Sequence, residues 1–138
     1  CLSAWSDDEA YQAVHLYKER VATLRELMDE MLILYHGPHK YNQQDVAQWV
    51  TPQTADYLKQ VIAKLEMLDT VTHDTVSAAI KELATSLQIK MVTIAQPIRI
   101  ALIGKSNGPG VFDLVSILKK RESVARIHAF MNAMQGML

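Results

Sequence analysis

AQPIRIALIGKSNGPGVFDL, residues 95–114, is the stretch on which the fold and role of this chain turn. It places an arginine among apolar residues, runs into Gly-Lys-Ser, and then fits two glycines and a proline into one bend. Gly104, Gly108 and Gly110, with Asn107, permit positive φ and close approach of another backbone or a ligand. Pro109 suits the start of a helix continuing as Val111-Phe112-Asp113-Leu114, and the free amides of such a start attract anions and hydrogen-bond acceptors. A short helix beginning near Pro97 and ending by Ile103 brings Arg99 close to the bend. A planar fork of donors beside free amides suits nucleobase edges and phosphates. The same residues also fit a tight helix-helix connection in which Arg99 caps a carbonyl.

Gly104-Lys105-Ser106 matches the tail of a phosphate-cradling nucleotide loop, but Arg99 stands where that motif needs its first glycine. Asn107-Gly108-Pro109-Gly110 then breaks the chain where the motif's helix should begin. The spacing therefore argues against an ATP-binding loop.

Outward from this stretch, nearly every segment reads as helix. Ser6-Asp7-Asp8-Glu9 matches a capping box. Val14, Tyr17, Val21, Leu24, Met28, Met31 and Tyr35 recur at alternating spacings of three and four, which predicts one long amphipathic helix. Gly37 and Pro38 end it. A short helix is expected over Asp45 to Val50, and Thr51-Pro52 reads as an N-cap followed by proline at the first helical position. The next helix buries Leu58, Val61, Ile62, Leu65 and Leu68. Thr72 looks like the cap of another, whose face is Val76, Ile80, Leu83 and Leu87. Residues 88–92 read as a connection, and Val124, Ile127, Met131 and Met134 mark a final helix. The expectation is an all-α bundle of about six to seven helices.

The 138 residues are 49% hydrophobic, enough for one core, and no apolar run is long enough to span a membrane. An intracellular, cytoplasmic setting is the default expectation, since residues 1–30 lack a signal-peptide pattern. Cys1 is the sole cysteine, so no internal disulfide forms; its place at the start points to a processed chain or one cut from something longer. Charge is unevenly spread. Residues 1–80 carry 6 Lys+Arg against 12 Asp+Glu, a net of −6, and residues 81–138 carry 8 against 3, a net of +5. A local excess of this kind is what a phosphate backbone senses.

These residues resemble a known family. AQPIRIALIGKSNGPGVFDLVSIL is similar to the signature of the C-terminal anticodon-binding domain of bacterial-type glutamyl-tRNA synthetases, in which A-Q-P-L-R-x-A-L-T-G precedes a short loop, P-G-L-F-(D/E) and a closing helix. Leu16 to Leu27 resembles the family's L-x-x-E-R-x-x-T-L-x-E-L helix, Trp49-Val50-Thr51-Pro52 its W-L-T-P turn, and residues 79–84 its A-I-K-x-L-A helix. The likeness covers roughly residues 14–130.

The resemblance implies a cage-like helical domain, with residues 1–37 ending a preceding helical subdomain and residues 41–138 forming the anticodon-binding one. It implies that Arg99, Gly108, Pro109, Gly110 and Val111 face the bases of a glutamate tRNA anticodon, and that Arg20 or Arg25 reads the third. Lys105, Lys119, Lys120 and Arg121 are the expected phosphate contacts. Catalysis, ATP and Mg belong to an upstream domain of the same chain, the whole acting as a monomer. Two departures stand out: Gly108 occupies a place where some members carry a hydroxyl residue, and Lys119 replaces a usual helix-terminating glycine.

The remaining polar residues have plainer readings. His36 and His39 lack a third metal ligand nearby, Trp5 and Trp49 read as packing residues, and Asp29-Glu30 lies on a solvated helix face without a nucleophile or base. No catalytic or metal site is expected. The alternative to RNA binding is a helical protein-interaction module using the stripe from Val14 to Tyr35.

Overall fold

A computed structural model describes residues 6–17 and 24–135. Seven helices follow one another: α1 (Asp7–Tyr17), α2 (Leu24–His36), α3 (Gln43–Trp49), α4 (Thr54–Glu66), α5 (His73–Leu87), α6 (Met91–Ile103) and α7 (Val111–Gln135), with no strand among the described residues. The all-α expectation holds.

Several local signals act as expected. Ser6 and Glu9 close a reciprocal box, with the Glu9 amide donating to Ser6 Oγ at 3.2 Å and the Ser6 amide to Glu9 Oε1 at 3.1 Å. Thr72 caps α5 by accepting from the Thr75 amide, while the Thr75 side chain accepts from the Thr72 amide. Asn42 caps α3 through the Asp45 amide.

The single long first helix is corrected. α1 packs against α2. One straight rod forbids that, because positions seven residues apart lie about 10 Å apart along a helix axis. The apolar stripe is thus divided between two packed helices, and its Val21 lies outside the described residues. At the Thr51-Pro52 turn, α4 begins later than expected. Thr54, almost fully buried, accepts a hydrogen bond from the Thr51 amide at 2.8 Å through Oγ1, so residues 51–53 form a turn and Thr51 is not the cap.

α6 also departs from expectation, starting at Met91 with Pro97 in its interior. Its Ile94, Pro97, Ile98, Ile100, Ala101, Leu102 and Ile103 are all buried. It is the central helix, touching α2, α3, α4, α5 and α7. With most of its residues apolar and Pro97 inside it, its pattern does not mark where it starts.

α7 wraps α1, α4, α5 and α6. It is broken at Lys119, whose φ of 68° and ψ of 171° are non-helical. This is the position where the resemblance expects glycine, and the backbone keeps a glycine-like bend without one. The core runs from Ala13 and Leu34 through Leu58, Ile80 and Ile98 to Phe130 and Met134.

Arg126 holds the crossing of α2, α6 and α7 together. It is 5% exposed. Its Nη2 donates to the Leu34 carbonyl at 2.7 Å, its Nη1 to the Leu102 carbonyl at 3.0 Å, and its Nε to Glu122 at 2.7 Å. The ends of α2 and α6 leave carbonyls without intrahelical partners, and a cation there also suits both helix dipoles. Burial pushes the Glu122 carboxyl up, but the hydrogen bond and charge of Arg126 act against it, and its pKa lies below the ordinary carboxylate value.

Candidate nucleic-acid interface

α6 stops at Gly104, which takes φ 86° and donates its amide to the Ile100 carbonyl at 2.7 Å. A Cβ here would stand 2.7 Å from the Lys40 carbonyl oxygen and 3.0 Å from Pro38 Cβ. Only glycine lets the bend leave α6 so close to the segment after α2.

Two sides brace the bend. On one, Arg99 Nη1 donates to the Ser106 carbonyl at 2.8 Å and to Gln96 Oε1 at 2.8 Å, while Nε donates to the Pro109 carbonyl at 3.1 Å. On the other, the Ser106 amide donates to Asp45 Oδ2 at 2.8 Å, the Asn42 amide to the Gly104 carbonyl at 2.8 Å, and Lys105 pairs with Glu30. The bend is a fixed shape.

The expected site residues fall into distinct groups. Arg99, Gly108 and Gly110 come together at the bend, each half-buried, with Asn107 exposed. Pro109 and Val111 belong to it through their backbone; their side chains are buried, Val111 in the core cluster. Arg99 is likewise no open fork: three of its hydrogen bonds go to Gln96 and the bend's carbonyls, which is the capping role that the spacing also allowed. Arg25 is exposed on the first turn of α2, and Arg20 lies outside the described residues.

The four basic residues also divide. Lys105 pairs with Glu30, and Lys120 donates to the Glu66 and Leu68 carbonyls, capping the end of α4. In this structure both cations are engaged within the fold. Lys119, 67% exposed, reaches Glu9 at 3.2 Å, and Arg121 is exposed on the same turn. The acids Glu30 and Asp45 had no sequence signal, since their partners lie 75 and 61 residues away; Gln96 lies one helical turn before Arg99 and its role was missed although the spacing is local. No group of three metal-ligating side chains occurs among the described residues. Trp49 packs partly buried against the core, and Trp5 lies outside the described residues.

Comparison with known proteins agrees with this arrangement. The chain is 29% identical over 125 residues to a glutamate–tRNA ligase of Desulfosudis oleivorans, covering 91% of this chain and 27% of that protein. It is 31% identical over 121 residues to one of Flavobacterium johnsoniae, covering 88% of this chain and 24% of the relative. The crystal structure of a glutamate tRNA ligase from Elizabethkingia meningosepticum, in complex with its amino acid, superposes with a TM-score of 0.87 at 24% identity over 94% of this chain and 26% of that one. The chain thus spans about a quarter of the length of the relatives it matches. A family model described as "Anticodon binding domain" matches residues 2–131. With that match running through the glycine bend, both of its braces and nearly the whole helical frame around them, the chain belongs to the anticodon binding domain family.

Proposed function

We propose that this chain is the tRNA-reading part of a glutamate–tRNA ligase. The ligation of glutamate, with its ATP and Mg, takes place in the remaining three quarters of the length its relatives have. The proposal includes action as a monomer in the cytoplasm. The observation that carries it is the bend at residues 104–110, fixed from two sides while Asn107 is exposed and Gly108 and Gly110 are half-open.

A rigid bend open at Gly108 and Gly110 suits unstacked loop bases, whose edges can be met by backbone donors and acceptors. Arg99 gives the bend its form. Arg25 of α2 and, in the adjoining segment, Arg20 are the proposed contacts to the third anticodon base. Lys119 and Arg121 supply salt-dependent attraction to phosphate. Removing Arg99 then acts on recognition through shape, and a base contact of the usual size, about 1–3 kcal/mol, is at stake.

Titrating glutamate tRNA transcripts with altered anticodons at two salt concentrations tests the reading. The expected result is an anticodon preference that survives added salt while overall affinity falls. Equal binding of every anticodon variant would overturn it. A second reading, a protein-docking module, draws on the exposed Leu24, Met28 and Leu32 of α2, at 73%, 58% and 54% exposure. It predicts no preference for tRNA over generic RNA.

A further inference from the structure

Beside the glycine bend, a second feature remains unassigned. A cleft of about 220 Å³ opens between α1 and α7, lined by Tyr11, Gln12, His15, Leu16, Asp113 and Ser116 along with Ile117. Tyr11 and His15, one helical turn apart, hold their rings nearly parallel, with centroids 6.2 Å apart and planes 17° apart. Tyr11 is 68% exposed. Across the cleft, Asp113 stands in the first turn of α7, three residues after Gly110, and its Oδ2 lies 3.5 Å from where a Cβ on Gly110 would stand. Asp113 Oδ1 accepts from His73 Nδ1 at 2.9 Å, and the His73 ring meets Phe112 edge-on at 5.6 Å. The carboxylate is thus held in place from α5, and no described residue bonds its second oxygen.

We propose that this cleft binds one unpaired RNA base carrying an exocyclic amino group, cytosine being the smallest of that class. The rings of Tyr11 and His15 give it a flat apolar face, and Asp113 Oδ2 accepts from the amino group. Stacking on protein aromatic rings tolerates any base. A carboxylate acceptor selects for a donor such as the amino group of cytosine and disfavours uracil, which presents a carbonyl oxygen there. The cleft adjoins the bend through Gly110 and Asp113, so a strand whose bases enter the bend continues into it. The proposal rests on the anticodon-reading function and adds a specificity-determining carboxylate to it.

The test uses the full-length protein containing these residues and RNA stem-loops in which each unpaired loop position is cytosine, uracil or abasic in turn. The expected result is one position where cytosine binds about ten-fold tighter than uracil. Tyr11→Ala with His15→Ala removes the abasic penalty at that position and at no other. Asp113→Asn keeps an acceptor for His73 but turns a donor toward the cleft, so it flattens or reverses the preference for cytosine there. Both variants alter exposed or half-exposed side chains, and unchanged thermal unfolding confirms that they fold.

If the variants keep the wild-type preferences at every position, the cleft proposal falls; cover of the Tyr11 ring by other parts of the polypeptide is one way that result arises. In that case preference at the bend, and its loss in Arg99→Ala, persists. If wild-type protein ignores loop sequence altogether, the anticodon-reading function fails together with the cleft.

Discussion

Arg126 and Arg99 perform the same chemistry in two different surroundings. Each guanidinium gathers backbone carbonyls that helix ends and bends leave without partners. Arg126 does so inside the bundle and is accompanied by Glu122 at 2.7 Å, as a buried cation requires a counter-charge. Arg99 does so at a half-open surface, beside the neutral Gln96. One arginine fixes the frame; the other shapes the part of the frame left open for a ligand. The difference separates stability from recognition, and substitutions at the two places should divide along the same line.

The largest effect is expected at the clasp. Arg126→Met removes the ion pair to the half-buried Glu122 and orphans carbonyls at the ends of α2 and α6, a loss of about 3–5 kcal/mol. Urea unfolding measures it, and Arg126→Met combined with Glu122→Gln should recover part of the loss. Full additivity of the two single changes would show that the residues do not act as a pair.

Gly104→Ala comes next. Positive φ costs about 1–2 kcal/mol for alanine, and the Lys40 carbonyl 2.7 Å from the new methyl adds to it. The variant should lose about 2 kcal/mol or more in unfolding and bind RNA more weakly, because the bend must shift.

Arg99→Ala should reverse the balance seen at Arg126, costing only about 1 kcal/mol in unfolding but about ten-fold in binding to the preferred anticodon. Arg99→Lys should not restore binding, since an ammonium cannot span the Ser106 and Pro109 carbonyls together. A stability loss at Arg99 as great as at Arg126 would erase the distinction between the two regions.

The pH dependence probes the carboxylate of the clasp. Glu122 has a lowered pKa in the folded chain, so its contribution is present above the unfolded carboxylate pKa of about 4.3 and is lost as pH falls through the folded value. Glu122→Gln should therefore be less stable than wild type at pH 7, with the gap closing below about pH 4. Acid titration of stability in both proteins checks this.

The smallest effect is expected at Lys119, where α7 bends with φ 68°. Glycine adopts that backbone without steric cost, so Lys119→Gly should gain about 1 kcal/mol or less, the exposed bond to Glu9 being a minor loss.

Much of the frame was legible in the residues. Ser6 with Glu9, and Thr72, marked helix starts through hydrogen bonds three residues long, and Val61, Leu65, Val76, Ile80 and Leu83 marked faces through their spacing. Gly104 and Gly108 announced the bend because φ values of 86° and 144° are conformations glycine adopts freely. The start of α6 was not legible, as the helix is mostly apolar and has no side-chain cap at Lys90. Arg126, set beside Ile127 among the core residues of α7, carries no local signal of its role.

The chain's own order of residues thus determined where helices begin, which faces turn inward and where the backbone can bend, since each depends on neighbours within one or two turns. Tertiary structure decided what the charges do. Lys105 meets Glu30, Lys120 meets the end of α4, and Arg126 meets the end of α2, across separations of 75, 52 and 92 residues. A cation finds its partner by where folding carries it, and no local pattern encodes a distance of that kind.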